Sequence, residues 1–225
     1  MLKSVVNLFF PKVCFACNNL LNDNEQDICI DCRHDLPVTN FHFDDSEAIK
    51  KVLYGRAKIE NGTALFRFEK QGKVQKLVHN LKYRGQENIG FFLGNWLGGE
   101  LKTIEAYNDI DIVIPVPLHQ KKLKKRGYNQ VTKFGRQIAT ALNAEYKDDV
   151  LIKVTNTKSQ TIKSRFSRWD SSNELFAINK PNSLKNKHIL LVDDLITTGA
   201  TMEACIAVLN KDQNLKISIA TIAIA

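Results

Sequence analysis

The residues best equipped for chemistry lie between positions 189 and 202. Ile189, Leu190, Leu191 and Val192 form an apolar run, followed at once by Asp193 and Asp194 and then by Leu195, Ile196, Thr197, Thr198, Gly199, Ala200 and Thr201. The run has the composition of a strand buried on both faces. Beyond the turn, Met202, Cys205, Ile206 and Leu209 recur at helical spacing, so the order is strand, acid pair, hydroxyl-rich turn, helix. Gly199 permits close backbone approach, and the helix start offers unpaired N–H groups with a partial positive charge. A phosphate suits that environment, with the threonine hydroxyls as further donors. The two carboxylates can accept hydrogen bonds from adjacent sugar hydroxyls or help hold Mg2+. Phosphate on one side and a diol on the other point to a ribose 5-phosphate. The chain has neither a Gly-x-x-x-x-Gly-Lys-Ser/Thr phosphate loop nor a Gly-x-Gly-x-x-Gly turn. The competing reading is an acidic strand end capped by a Thr-rich helix start.

A second constellation lies near the N-terminus. Cys14 and Cys17, then Cys29 and Cys32, form two Cys-x-x-Cys pairs separated by eleven residues. Each pair can present two thiolates to one ion, and the two together complete a tetrahedral Zn2+ site. A closed four-sulfur shell leaves no open position, so such a metal is structural. A piece of about 40 residues has too little core to fold alone, which gives the ion a purpose. Disulfides are the competing reading, and a redox pair a weaker one, because no βαβ unit surrounds either pair. Cys205 sits on the apolar stripe with Met202, Ile206 and Leu209 and reads as core.

Charge narrows the partners. The chain of 225 residues carries 32 basic and 24 acidic side chains, a net +8. Residues 119–168 alone hold 13 Lys and Arg against three acids, so the rest is slightly acidic. Such a block suits an anionic partner, either a polyphosphate ligand or nucleic acid, or is a plain solvated face. At 44% hydrophobic and 25% charged the composition is that of a globular chain, and no apolar run reaches membrane-spanning length. No membrane insertion is expected, and the expected compartment is the cytoplasm.

The elements that must position these residues follow in order. Residues 1–40 read as a zinc module, 35–50 as a linker, and 41–225 as the main domain. Val52–Ile59 and Thr63–Phe68 read as two strands of a hairpin turned at Asn61-Gly62. Val74, Leu77, Val78 and Leu81 mark an amphipathic helix stopped by Gly85, and a buried helix runs over 89–104. Asp111–Pro117 is a short buried strand whose exit, Pro115, Val116 and Pro117, leads to Lys121 and four further cations. A strand's C-terminal end is where an open α/β sheet presents its ligand loops. A helix carries Val131, Phe134, Ile138 and Leu142, and a strand follows near 150–154. A long basic segment over 155–173 precedes the strand with the acid pair, and 215–225 supplies a last strand. The alternation predicts an α/β fold, a mostly parallel sheet with helices on both faces.

Taken together, the chain resembles the ComF family, competence-protein-F-like homologues of the type I phosphoribosyltransferases. The resemblance rests on the four cysteines, Lys82-Tyr83-Arg84-Gly85, Pro115-Val116-Pro117, Arg126 to Gln130, Thr157 to Gln160 and the 189–201 signature. Ser171 departs from the family pattern, which has Asn between the positions of Arg168 and Phe176. The resemblance implies a fold that binds phosphoribosyl pyrophosphate (PRPP) with Mg2+. Asp193 and Asp194 would hold the ribose hydroxyls, Leu195–Thr201 the 5′-phosphate, and Pro115–Lys121 the pyrophosphate. Residues 155–173 would form a lid, with Lys158, Arg165 and Arg168 as candidates for stabilising the departing pyrophosphate. It also implies a link to natural transformation, with single-stranded DNA and a helicase-like protein as expected partners. Two functions follow as expectations: phosphoribosyl transfer to an acceptor, or a non-catalytic single-stranded DNA-binding factor that uses PRPP as a regulatory ligand. For the second, Tyr128, Phe134, Phe166 and Trp169 are the aromatic residues near the basic block.

Overall fold

The computed structural model describes residues 11–45, 47–154, 175–179, 184–210 and 214–225. Lys158, Arg165, Arg168, Phe166, Trp169 and Thr157–Gln160 lie outside the described residues. Among the described residues the elements are α1 (Ile30–Asp35), α2 (Phe41–Asp44), α3 (Ala48–Val52), β1 (Gly62–Arg67), α4 (Lys73–Tyr83) and α5 (Asn88–Leu101). They continue with β2 (Ile112–Pro115), α6 (Gln120–Arg126), α7 (Thr132–Leu142), β3 (Glu145–Tyr146) and β4 (Leu151–Lys153). The chain closes with β5 (Phe176–Ile178), β6 (His188–Ile196), α8 (Ala200–Leu209) and β7 (Lys216–Ile224).

Five strands form one parallel sheet in the order β1-β7-β6-β2-β3. The apolar strand residues alternate between two layers of core. Leu190 and Val192 pack with Leu77, Leu81, Leu93 and Phe134 on one face. Ile189 and Leu191 pack with Met202, Cys205, Ile206 and Leu209 on the other. Full burial of each such side chain stabilises by about 1.5–3 kcal/mol. Strand β2 leads outward to β3, whereas β6 leads the opposite way to β7. The chain therefore reverses direction between β2 and β6, and the crevice beyond their C-terminal ends is the switch point where such sheets place ligands.

Helix α5 is continuous despite its glycines, because these give it contact with α7. A Cβ on Gly94 would stand 2.5 Å from the Phe134 carbonyl oxygen, and one on Gly98 would stand 3.1 Å from the Ile138 Cα. The four-cysteine segment packs into the same apolar core as α4 and α5: Cys14, Cys29, Cys32 and Leu36 belong with Leu65, Phe66, Leu77 and Leu81. Its outer contacts are polar, with Lys73 Nζ 2.6 Å from Asp35 and Asn80 donating to the Phe15 carbonyl at 3.1 Å.

Four expectations are corrected. Asn61-Gly62 turns no hairpin: residues 48–52 are helix α3, and β1 pairs in parallel with β7, Gly62 opposite Ile219. Gly62 is needed because Ile49 of α3 sits against it, a Cβ there meeting the Ile49 Cβ at 2.6 Å. Residues 35–50 are no linker, since Val38 bridges Phe66, and the Thr39 and Arg67 amides donate to Leu65 and Pro37 carbonyls at 3.0 and 2.8 Å. The strand near 150–154 leaves the main sheet and pairs antiparallel with β5, Leu151 opposite Ile178. The acid pair lies within β6 rather than after it, because pairing with β7 continues to Ile196 opposite Ile224.

Candidate functional site

Consecutive strand residues point to opposite faces of a sheet, and this separates the two acids. Asp193 is half-buried and opens into a hollow of about 50 Å3 shared with residues 195–202. Burial first, and then the adjacent Asp194 charge, push its carboxyl up to about 8, against the pull of Lys82 and Lys153. Asp194 turns to the other face and is buried, with Lys82 Nζ 2.6 Å from one oxygen and the Gln130 amide donating to the other.

The turn that closes the hollow is built by two local devices. Gly199 caps α8 at φ +77°, a left-handed conformation that favours glycine. There is no room for a side chain either, since a Cβ would meet Leu53 Cδ2 at 2.7 Å. Thr197 and Thr198 are exposed beside it, and Ala200, Thr201 and Met202 at the start of α8 line the same hollow as Asp193.

A residue the sequence reading missed holds this turn from outside. Arg56, in the turn after α3, donates to the Thr198 carbonyl at 2.6 Å and to Glu203 of α8 at 3.1 Å, and also reaches the Val52 carbonyl. No local signal marks it, because its partners are 142 and 147 residues away.

On the neighbouring strand, Pro115 pairs opposite Val192 and the Val116 amide donates to the Val192 carbonyl at 2.9 Å. That register puts Pro115–Pro117 beside the acid-bearing strand. Lys121 is not in the loop itself but in the first turn of α6, whose N-cap His119 accepts from the Lys121 amide at 3.1 Å. A further hollow of about 370 Å3 lies here, bounded by Pro115, Pro117, Leu118, Asn129 and Lys153. Asn129 fixes the loop by donating to the Val116 carbonyl at 3.0 Å.

The four cysteine sulfurs lie within 4.8 Å of one another, and Cys17 Sγ is 3.8 Å from Cys29 Sγ. Four thiolates at about 2.3 Å from a tetrahedral metal stand about 3.8 Å apart, so the donor set fits such an ion. All four are free thiols, and a disulfide needs about 2.05 Å between sulfurs. Backbone amides already point at the sulfurs, with Ala16 and Cys29 donating to Cys14 Sγ at 3.4 Å each and Asn19 to Cys17 Sγ at 3.4 Å. Burial would raise the Cys14 thiol, but amide donation from Cys29, Cys17 and Ala16 carries it down to about 7. Burial and the neighbouring sulfurs drive Cys32 upward.

One arrangement mimics a hydrolase. His188 Nδ1 is 2.7 Å from Asp109 and its Nε2 is 2.8 Å from Ser218 Oγ, the connectivity of a Ser-His-Asp triad. Ser218 is fully buried in the middle layer of the sheet and its hydroxyl also accepts from the Asn61 amide at 3.2 Å. A nucleophile sealed from solvent has no substrate, so this trio ties strands together. Cys205 and Phe134 are likewise fully buried core residues.

Residues 131–224 match the phosphoribosyl transferase domain family. The chain is 22% identical over 193 residues to the DNA utilization protein YhgH of Shigella flexneri, spanning 84% of this chain and 80% of that one. It is 31% identical over 140 residues to competence protein F of Haemophilus influenzae, 60% of this chain and 61% of that one. Competence protein ComFC of Bacillus subtilis is 27% identical over 193 residues, 85% of this chain and 75% of the relative. Among solved structures, a Staphylococcus aureus hypoxanthine phosphoribosyltransferase overlays with a TM-score of 0.36 at 17% identity, over 60% of this chain and 63% of that one. At that overlay the fold rests on the parallel sheet order itself. No helix among the described residues is long and apolar enough to cross a membrane. In its matched domain, its named relatives, its four-cysteine cluster and its parallel sheet, this chain is similar to the ComF family of type I phosphoribosyltransferase homologues.

Proposed function

We propose that the protein binds PRPP with Mg2+ in the crevice between β2 and β6 and transfers its phosphoribosyl group to an acceptor, releasing pyrophosphate. The observation that carries this reading is the shared hollow: Asp193 opens into the same space as Thr197–Thr201. The α8 amides and the Thr197, Thr198 and Thr201 hydroxyls hold the 5′-phosphate. Asp193 accepts from a ribose hydroxyl, and Asp194 adds a fixed negative charge behind it, held by Lys82 and Gln130. The Pro115–Lys121 segment faces the pyrophosphate. In the transfer, the acceptor's bond to the ribose C1 forms as the C1–O bond to pyrophosphate breaks. The Asp194 carboxylate favours the positive charge that develops on the sugar, and Asp193 adds to it once its own proton is lost. When bound, Mg2+ would offset the negative charge of the departing pyrophosphate. Lys158 and Arg168 are assigned by family resemblance to the lid that excludes water.

In this reading the four cysteines hold a structural Zn2+, and the sulfur spacing supports it. The names of the relatives, competence protein and DNA utilization protein, support a role linked to competence and DNA.

Calorimetry with PRPP and Mg2+ tests the site. Asp193→Asn should abolish binding while leaving the circular dichroism spectrum unchanged. Equal affinity in variant and parent would sink the assignment. A pyrophosphate-release screen with bases, amines and DNA ends then identifies the acceptor.

A further inference from the structure

A second group of cations converges on the opposite face of β6 from the Asp193 hollow. Lys82, Tyr83, Lys122, Lys125, Arg126 and Tyr128 line a cavity of about 290 Å3 between the end of α4 and helix α6. Four of these side chains are cationic, and no acid is among the lining residues. Lys82 is paired with Asp194 at 2.6 Å. Arg126 is directed by the neutral Gln130 amide oxygen and lies 5.3 Å from the Tyr83 ring centroid. Lys122 and Lys125 are exposed and have no ion-pair partner among the described residues. Three residues apart, they lie on one face of the helix.

Lys122, Lys125 and Arg126, gathered with no acid paired to them among the described residues, repel one another, and an anion in their midst relieves that repulsion. A guanidinium with two ammonium groups suits a phosphate, which accepts from several donors at once. The rim adds an aromatic surface, because Tyr83 is 68% exposed. Tyr128 is fixed below it by donating its hydroxyl to the Leu81 carbonyl. Cations beside an exposed ring suit a ligand that is anionic at one end and planar at the other.

We propose that this cavity binds a nucleoside phosphate, with its phosphate on Lys122, Lys125 and Arg126 and its base against Tyr83. A free nucleotide and the phosphorylated end of a DNA strand share this chemistry. The site stands apart from the Thr197–Thr201 turn and does not depend on phosphoribosyl transfer. It communicates with that crevice through Lys82, whose ammonium lines the cavity and also bonds Asp194. A bound phosphate competes with Asp194 for that ammonium.

Calorimetry on the full chain at low salt, with dAMP, inorganic phosphate and deoxyadenosine, tests the proposal. dAMP should bind tightest and deoxyadenosine weakest. Replacing Lys122 and Lys125 together by Ala should weaken both dAMP and phosphate by about tenfold or more. Tyr83→Ala should weaken dAMP on the order of tenfold and leave phosphate unchanged. An oligodeoxyadenylate with a 5′-phosphate that binds as tightly as dAMP identifies a strand end as the source; weaker binding identifies the free nucleotide. Absence of dAMP binding, or an affinity unmoved in the double lysine variant, overturns the proposal. Loss of dAMP binding in Asp193→Asn overturns it too, by moving the nucleotide into the phosphoribosyl crevice. PRPP binding measured in parallel keeps the two readings distinguishable.

Discussion

The Lys82 ammonium stands 2.6 Å from Asp194 Oδ1, on the far side of the sheet from the hollow that Asp193 enters. Two acids adjacent in the chain thus have different surroundings, one opening to a ligand space and the other tied to a cation from α4. The pair is shielded, with side-chain exposures of 21% for Lys82 and 6% for Asp194. Removing one partner leaves a buried charge unmatched, at a cost of about 3–5 kcal/mol. Lys82→Met should therefore lower the urea midpoint sharply, and adding Asp194→Asn should recover much of the loss. A Lys82→Met protein as stable as the parent would show that the pair is not shielded.

Asp193 gives stability an unusual pH slope. Its folded pKa of about 8 lies above the ordinary 3.8, so between these values the folded chain holds a proton that the unfolded chain has lost. The resulting stabilisation is complete below about pH 4 and is lost as pH rises towards about 8. Asp193→Asn removes this slope. Melting temperatures measured across that window should fall more steeply in the parent than in the variant, and parallel curves would contradict the shift.

The four-sulfur cluster should carry one Zn2+ per chain by elemental analysis. Cys14, Cys29 and Cys32 are buried in the same core as Leu77 and Leu81, so losing the ion opens that core. Chelation, or Cys32→Ser, should expose α4 to hydrogen exchange and lower stability by several kcal/mol. A chelated protein with an unchanged exchange pattern would mean that the cluster folds without metal.

Arg56 reaches the Thr198 carbonyl at 2.6 Å and Glu203 at 3.1 Å, and so acts as a positioning residue for the phosphate turn. Arg56→Met should weaken PRPP binding on the order of tenfold while leaving global stability within about 1 kcal/mol. Lys at this position should not restore affinity, because a single ammonium lacks the planar fork. Full affinity in Arg56→Met would remove the role.

Two glycines of one helix should respond oppositely. Gly94→Ala drives a Cβ to 2.5 Å from the Phe134 carbonyl and should destabilise by about 1–3 kcal/mol. Nothing lies within 4 Å of a Cβ at Gly99, so Gly99→Ala should stabilise by about 0.5–1 kcal/mol. Denaturant midpoints of the two variants decide this directly.

Features written in short spacings were legible from the chain alone. Two Cys-x-x-Cys pairs suffice to indicate a four-thiolate shell, because each pair spans only three residues and the sulfurs need only meet. The hydroxyl-rich turn after Ile189–Val192, and the helix beyond it, follow from Gly199 and from apolar periodicity. The parallel arrangement followed from the alternation of buried strands with amphipathic helices. Asn61-Gly62 misled because glycine serves two ends: here it admits Ile49 against the backbone rather than turning a hairpin. That need becomes visible only once α3 is laid on β1.

Only the tertiary structure decided which partners meet across long stretches of chain. Gly62 pairs opposite Ile219, Lys82 meets Asp194, and Arg56 meets Thr198. Parallel pairing joins strands through long crossovers, so its register leaves no mark within a short window of residues. The division of labour between Asp193 and Asp194 arose the same way. The chain places them side by side, and the strand that continues through them turns one towards solvent and the other into the core.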